Sequence, residues 1–373
     1  MSSKPFNRTR LAGALLLALL LPLAAQSQDG DVPANDEMSE EAMPDDSVEA
    51  AQPLDESAGA DDPAVLDAEI MPRASQSLLL DTVQTAAGYF TVGERGHILV
   101  SEDGREWKQV PVPTRSTLTS VTSADGVLWA GGHDGVIVHS TDGGQTWTRR
   151  RTQVWTPDYI DPLDGVPVMD VLMVDGMNGF AVGAYAMFLE TTDGGANWED
   201  VSDRLDNEDQ HHLNAITEVK DSGLFAVGEM GGMYRSGDWG QTWETVEGPY
   251  EGSLFGALGT GETGGILVYG LRGHMFRSAD FGKTWQQINL KGAAGRFDFG
   301  LSNGAVLKDG SVVVVGHGGS VLKSTDKGHN FAVINRADRL SLSGVSADEK
   351  GNLILVGQGG VHVASPTGTA PQQ

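Results

Sequence analysis

Residues 140–147 read Ser-Thr-Asp-Gly-Gly-Gln-Thr-Trp, and this S-x-D-x-G-x-x-W pattern returns with variations five more times. It opens at Ser101 one residue short, then recurs at Thr191, Ser236, Ser278 and Ser324, the last ending on Phe331 in place of Trp. Small hydroxyl and carboxylate side chains accept hydrogen bonds from main-chain amides within a tight turn. The pattern therefore predicts that Asp142 clamps its own hairpin and that Gly143 or Gly144 supplies the positive φ the turn needs. Trp147 then begins the return strand with a ring large enough to bury against a neighbouring sheet. On this reading Asp103, Asp142, Asp193, Asp238, Asp280 and Asp326 are structural, because the turn consumes their hydrogen-bonding capacity locally.

The turns fall in units 40–50 residues apart, the period of propeller blades. Each unit reads as an apolar strand, a short turn, a second apolar strand ending in Gly, a Gly-containing turn, a third strand, the aspartate turn and a fourth strand. In the second unit these strands are 117–124, 126–131, 136–139 and 146–150. The second strands with their turns count seven: 89–96, 128–135, 180–186, 224–232, 266–273, 312–319 and 353–360. The seventh unit stops at Ser365, before any aspartate turn. An unpaired strand edge is something closed folds avoid. The expectation is therefore an all-β, seven-bladed β-propeller with residues 64–71 returning as the outer strand of the last blade, so that an N-terminal strand closes the ring. Residues 366–373 are expected to be a short frayed tail.

Ahead of the repeats, Lys4, Arg8 and Arg10 precede an apolar run over 11–23 and a small-residue exit, Ala24-Ala25-Gln26-Ser27. That is a secretory signal, too short to span a bilayer, with cleavage expected near 25–27. Residues 28–63 are acidic and poor in apolar side chains, and are read as a disordered linker. Residues 64–365 form the propeller. The net charge of −26 argues against a nucleic-acid partner, and the absence of cysteine removes disulfides and thiolate metal sites. The mature protein is expected to be periplasmic.

The succession of Phe180-Ala181-Val182-Gly183, Thr192-Asp193-Gly194-Gly195 and Trp198, with 128–147 next, resembles the photosystem II stability/assembly factor family, within the bacterial neuraminidase (Asp-box) repeat propellers. The resemblance covers roughly 64–365. It implies a seven-bladed fold and a non-catalytic lumenal or periplasmic factor that holds membrane-protein intermediates; some relatives in non-photosynthetic bacteria accompany exporters. The expected partner is a membrane-protein or envelope complex, with a monomeric chain, no cofactor and no metal. The chain departs from photosynthetic members in its long acidic segment, and the family's basic patch is thinly matched.

Turns between second and third strands, and links between blades, gather on one face of a propeller. Here they share a frame of Gly, two variable positions, then usually Gly. The first variable position holds Glu94, His133, Glu229, His317 and Gln358; the second holds Arg95, Asp134, Tyr185 and Arg272. Arg95, His133, Tyr185, Arg272 and His317 are accordingly the candidate partner-binding residues, for a carboxylate-bearing peptide or polar ligand. Two long links stand out, 152–168 with Trp155, Asp158, Tyr159, Asp161 and Asp164, and 207–213 with Glu208, Asp209, His211 and His212. Adjacent residues of an extended segment point apart, so the His pair makes a poor metal site. The alternative is a carbohydrate-active propeller, a sialidase or glycoside hydrolase. It lacks the Phe/Tyr-Arg-Ile/Leu-Pro signature, which Met71-Pro72-Arg73 does not match, and nothing in the sequence fixes a pair of carboxylates.

Overall fold

The computed structural model describes residues 62–152, 165–292 and 295–369. The segment expected to be a signal peptide, all but the last two residues of the expected acidic linker, the part of the long link that carries Trp155 to Asp164, and residues 370–373 lie outside the described residues. Within them the chain forms seven antiparallel sheets of three or four strands, each made from a contiguous stretch, 79–109, 118–151, 168–200, 213–245, 254–287, 301–335 and 342–364, and one two-strand hairpin. We refer to the seven sheets as blades 1 to 7. The first strand of each blade packs beside the first strands of both neighbours, and the first strand of blade 7 packs on that of blade 1, so the seven enclose one axis. The only helical pieces among the described residues are three-residue 3₁₀ turns.

Local chemistry sets this architecture. The second strands, such as Phe188's partner Gly179–Gly183 and the Val312–Gly316 strand, are buried along their whole length because sheets cover both of their faces. The first strands alternate buried and half-buried residues, since one side faces the axis. Each first strand also carries one extra residue near its start, and the register slips there in all seven blades. A bulge of this kind bends and twists a strand at the point where it nears the axis.

The aspartate turns behave as their sequence predicts. Asp142 Oδ1 accepts the amides of Gln145 and Thr146, both at 3.0 Å, and the Ser140 hydroxyl at 2.8 Å. Its Oδ2 takes the Thr146 hydroxyl at 2.6 Å, and the Ser140 oxygen accepts the Gly144 amide at 2.9 Å. Gly143 and Gly144 both adopt positive φ, +72° and +81°. The Trp147 ring nitrogen closes the turn onto the Gly144 carbonyl at 3.2 Å.

The second glycine also joins blades. A Cβ on Gly144 would lie 2.1 Å from Phe90 of blade 1, and equivalent glycines approach the preceding blade in the same way. Gly195 meets Trp129, Gly240 meets Phe180, Gly282 meets Phe225, Gly328 meets Leu267, and Gly104 of blade 1 meets Ile354 of blade 7. The turn's own aromatic packs beside that contact: Trp243 sits edge-on to Phe180 and Phe188, with centroids 6.2 and 5.1 Å apart. Each turn is thus a knob set over a large side chain of the blade before it.

Among the described residues blade 7 has three strands, and residues 64–71, expected as its outer strand, run beside blade 1 instead. The Ala68 amide donates to Val112 O at 2.9 Å, the Arg115 amide to Pro63 O at 2.7 Å, and the Met71 amide to the Gln109 side chain at 2.7 Å. Ala64 and Ala68 are buried there among Val110, Val112 and Trp147. The small alanines fit this crevice, and Gln109 fixes the segment by also donating to Glu69 O. The chain then crosses the outer side of blade 7 through a 3₁₀ turn, Ala74–Gln76, close enough that a Cβ on Gly360 would lie 1.9 Å from Ser75 O. Side chains complete the seam: Leu79, Leu99 and Trp107 of blade 1 cluster with Val356 and Val361 of blade 7 and with Met71 and Ala74.

The C-terminal end is folded as far as Thr369. Residues 365–369 make a turn in which the Ser365 hydroxyl meets that of Thr367 at 2.9 Å, copying the Ser140–Asp142 contact with threonine in the aspartate's place. It packs on blade 6, where a Cβ on Gly368 would lie 2.7 Å from Val321, and Lys323 donates to Pro366 O.

Candidate functional site

Two places on the ring concentrate functional chemistry: the face formed by the turns between second and third strands, and the channel mouth it surrounds. The shared frame of the turns is real in three dimensions. In every blade the amide of the first variable residue donates to the carbonyl of the link entering that blade: Glu94 to Leu78, His133 to Thr117, Ala184 to Pro167, Glu229 to His212, Leu271 to Ser253, His317 to Gly300 and Gln358 to Ser341. Turns and links therefore lie on one face.

The second variable position is left-handed throughout: Arg95, Asp134, Tyr185, Met230 and Arg272 have φ between +51° and +58°, while blades 6 and 7 place Gly318 and Gly359 there. Holding a side chain in that region costs roughly 1 kcal/mol per residue that glycine avoids. Five blades accept the cost; Arg95, Tyr185, Met230 and Arg272 are exposed, while Asp134 is half-buried and accepts the Ser116 hydroxyl. Tyr185 is 44% exposed, Met230 63%, and Leu271, beside Arg272, 40%, which makes an apolar arc across blades 3 to 5.

Arg95, His133, Tyr185, Arg272 and His317 are all exposed on this face, each in a different blade. No hydrogen bond, ion pair or ring contact joins any two of them. Tyr185 stands edge-on to His212 with centroids 4.9 Å apart, and His212 approaches Glu229 at 3.8 Å. The neighbouring His211 has its amide held by Asn207 Oδ1 at 3.1 Å. The two histidines thus serve different local contacts.

Arg272 has company that sequence reasoning missed. A two-strand hairpin, Lys291–Gly292 with Gly295–Arg296, is inserted between blades 5 and 6 and walls a pocket of about 460 Å³ with Arg272, His274, Ile288, Leu290 and Phe297. Lys291 lies directly opposite Arg296 in the hairpin's ladder. Like charges in that relation repel, and none of Arg272, Lys291 and Arg296 has a carboxylate within ion-pair distance among the described residues. Tyr250 stacks on His274 with ring centroids 4.4 Å apart. The hairpin could have been found as the only Lys-to-Arg return flanked by small residues between two blades, but the repeat frame gives it no counterpart.

The channel mouth is lined by residues after each first-strand bulge, and its polar members form a belt. Asp81 of blade 1 accepts the Thr82 amide at 2.8 Å, the Val121 amide of blade 2 at 2.9 Å and Asn303 Nδ2 of blade 6 at 2.9 Å. Asp170 of blade 3 accepts the Val171 amide at 2.9 Å, the Ser120 hydroxyl of blade 2 at 2.8 Å and the Ile216 amide of blade 4 at 3.0 Å. Burial pushes Asp81 up to about 7, with the Asp170 charge adding to the rise and the amide donors opposing it. Burial likewise raises Asp170 to about 6 against its three donors. Desolvation disfavours the charged form even where donors favour it.

Comparisons with known proteins agree with this architecture. The family model described as photosynthesis system II assembly factor YCF48 matches residues 150–297, and the BNR/Asp-box repeat matches 138–149. The photosystem II assembly lipoprotein Ycf48 of Synechococcus sp. (strain CC9902) is 40% identical over 75 residues, which are 20% of this chain and 22% of that relative. The match therefore spans about a fifth of that curated relative's length. A solved structure of YCF48 bound to a D1 peptide superposes with a TM-score of 0.59 at 18% identity, over 79% of this chain and 94% of the other. Streptogramin B lyase superposes with 0.62 at 14% identity, over 77% and 93%. At such identities the structural likeness shows the fold, which an assembly factor and an enzyme share.

Proposed function

We propose, from the premise that the chain is a BNR/Asp-box propeller of the photosystem II assembly-factor type, that it is a non-catalytic periplasmic scaffold whose turn face holds a segment of a membrane-protein or envelope complex, an exporter among the candidates. The observation that carries this reading is the basic pocket of Arg272, Lys291 and Arg296. A chain with 25 basic and 51 acidic residues keeps three cations with no ion-pair partner among the described residues around a floor of Ile288, Leu290 and Phe297. Cations beside apolar surface suit an extended peptide that brings a carboxylate and apolar side chains together. The Tyr185–Met230–Leu271 arc continues the apolar surface around the face. That a relative of this type is solved with a D1 peptide supports a membrane-protein segment as the ligand class.

The test is capture of crosslinked envelope membranes by the full chain and by an Arg272→Glu/Lys291→Glu/Arg296→Glu variant. The expected result is a membrane-protein partner retained by the wild type, released by salt near 0.5 M as screening shortens to a few ångströms, and lost in the variant. Equal retention by both would overturn the reading. The carbohydrate-active alternative predicts sialoside or β-glucan turnover that vanishes with a single carboxylate substitution.

A further inference from the structure

Six blades show what sits on the outer edge of a third strand, and the seventh leaves that edge open among the described residues. In blades 1, 3, 4 and 5 the fourth strand is followed by one repeated bond. There the carbonyls of Ile98, Phe188, Met233 and Met275 accept the amides of Val110, Val201, Val246 and Ile288, at 3.0, 2.8, 2.8 and 2.9 Å. The four donors are all β-branched, and their side chains are buried.

In blade 7 the same register sets Val361 opposite Val356 and Val363 opposite Ile354 of the second strand. Val361 thus stands where Ile98 stands, and Val363 where Val100 stands, which blade 1 pairs with Lys108. Successive residues of a strand turn their amides and carbonyls to opposite sides. Val361 and Val363 therefore direct theirs outward, and no main-chain group meets them among the described residues. Met71 and Ala74 pack against the Val361 side chain and Ser75 lies over Gly360, but the main-chain edge between them stays unbonded. The strand Gly360–Ala364 reads Gly-Val-His-Val-Ala, without the charged side chain, proline or bulge that ordinarily protects an edge.

A cation is missing from the same place. The residue equivalent to Val363 is Arg235 in blade 4, Arg277 in blade 5 and Lys323 in blade 6. Each donates to a main-chain carbonyl of the turn that follows, at Phe281, Lys327 and Pro366. Blade 7 has a valine there, and the turn that follows is that of blade 1, where exposed Glu102, Asp103 and Glu106 outnumber Arg105.

We propose that the open edge of blade 7 takes an extended segment of another protein by β-strand addition. The segment gives an amide to the Val361 carbonyl, places a Val or Ile as the fourth strands of the other blades do, and brings a Lys or Arg to the acidic turn of blade 1. Main-chain bonds supply the affinity of such additions and alternate side chains the specificity. A second copy of this chain is the poorer occupant, since its net charge of −26 repels and its own edge brings no Lys or Arg. The edge is distinct from the basic pocket, whose walls include neither Val361 nor Val363.

The test is residue-resolved hydrogen exchange of the full chain, with and without the end-blocked peptide Lys-Thr-Val-Lys-Val-Lys at about 2 mM. In the chain alone the Val363 amide exchanges faster than that of Val100, its paired counterpart. The peptide slows Val361 and Val363 roughly threefold or more, the factor 1 + [L]/Kd for a Kd near 1 mM, and leaves Val100 unchanged. The same peptide methylated on every amide nitrogen keeps its side chains and charge and slows neither. Val363→Pro removes an outward donor while sparing the inner ladder, and abolishes the effect; the methylated peptide probes the same bonds on the unaltered fold. The proposal is overturned if both peptides protect equally or neither protects. It is also overturned if the two amides are already slow without peptide: at every protein concentration the chain covers its own edge, and only at high concentration a second copy does.

Discussion

At the scale of single residues, the aspartate turns and one histidine both make the fold less stable towards acid, over different pH ranges and for different causes. The hydrogen bonds from the Thr146 hydroxyl and amide and from Ser140 hold Asp142 down to about 2, well below the usual carboxylate range. A carboxylate whose folded-state pKa is depressed contributes stability above its unfolded value near 3.8, and loses it as pH falls through about 2. Asp142→Asn should therefore lower Tm at neutral pH by roughly 2–4 °C and flatten the acid limb below pH 4 in thermal melts. His97 also costs stability as pH falls, but over a higher range and because burial disfavours its charge. It is fully buried after the first turn of the turn face, neither ring nitrogen has a partner among the described residues, and burial lowers its pKa. The unfolded chain takes up the proton that the folded one refuses, so this residue removes stability as pH drops below about 6.5. Blade 2 places Val136 at the equivalent position. His97→Leu should raise stability by about 1–3 kcal/mol, the cost of an unmatched buried polar group, and shrink the decline between pH 6.5 and 5. A urea titration at the two pH values checks both.

At the scale of the element, the second glycine of the aspartate turn does two jobs, and only one is legible in the sequence. Its positive φ follows from the turn alone. Its closeness to Phe90 depends on which blade sits next door, which no local pattern encodes. Gly144→Ala should cost about 2–4 kcal/mol, since it adds overpacking against the ring to a left-handed alanine. Gly126→Ala has the same φ of +81° and open space around the new methyl, so it should cost about 1 kcal/mol. Comparing the two by chemical denaturation separates backbone strain from packing between blades. The same division explains the candidate site. Repeat spacing placed Arg95, His133, Tyr185, Arg272 and His317 on one face, because equivalent positions in equivalent blades must be neighbours of one another. Lys291 and Arg296 escaped notice because their hairpin interrupts the repeat. Asp81 and Asp170 were invisible because the bulge that turns them to the axis has no residue signature; the seven bulged positions are Leu80, Thr119, Met169, Asn214, Phe255, Ser302 and Ser343.

At the scale of the whole molecule, blade number was readable by counting turns, and the manner of closure was not. A missing fourth strand argues for a replacement strand only if nothing else covers the edge. Here residues 64–77 cover blades 1, 2 and 7 with side chains and a 3₁₀ turn, and the Ser365–Thr369 turn caps blade 6. Closure then rests on contacts across the seam: Gly104 beneath Ile354, Thr82 bonded to Ser346 at 3.3 Å, and Asn303 reaching past blade 7 to Asp81. Asn303→Ala should cost about 1.5–3 kcal/mol at pH 8, where Asp81 is ionised and the bond is charge-assisted. Hydrogen exchange should quicken first in the strands on either side of the seam. An equal loss of protection in all blades would show that the seam is no weaker than the other boundaries.

The contiguity of every sheet has a kinetic side. Among the described residues no blade waits for a strand from the far end of the chain, so each can acquire its hydrogen bonds soon after its own residues emerge. Loop closure within a blade spans tens of residues, whereas the meeting of blades 1 and 7 spans almost the whole domain. The slow step of folding is therefore the final docking of two finished edges, and a chain stalled before it exposes a curved, open stack rather than an unfolded coil.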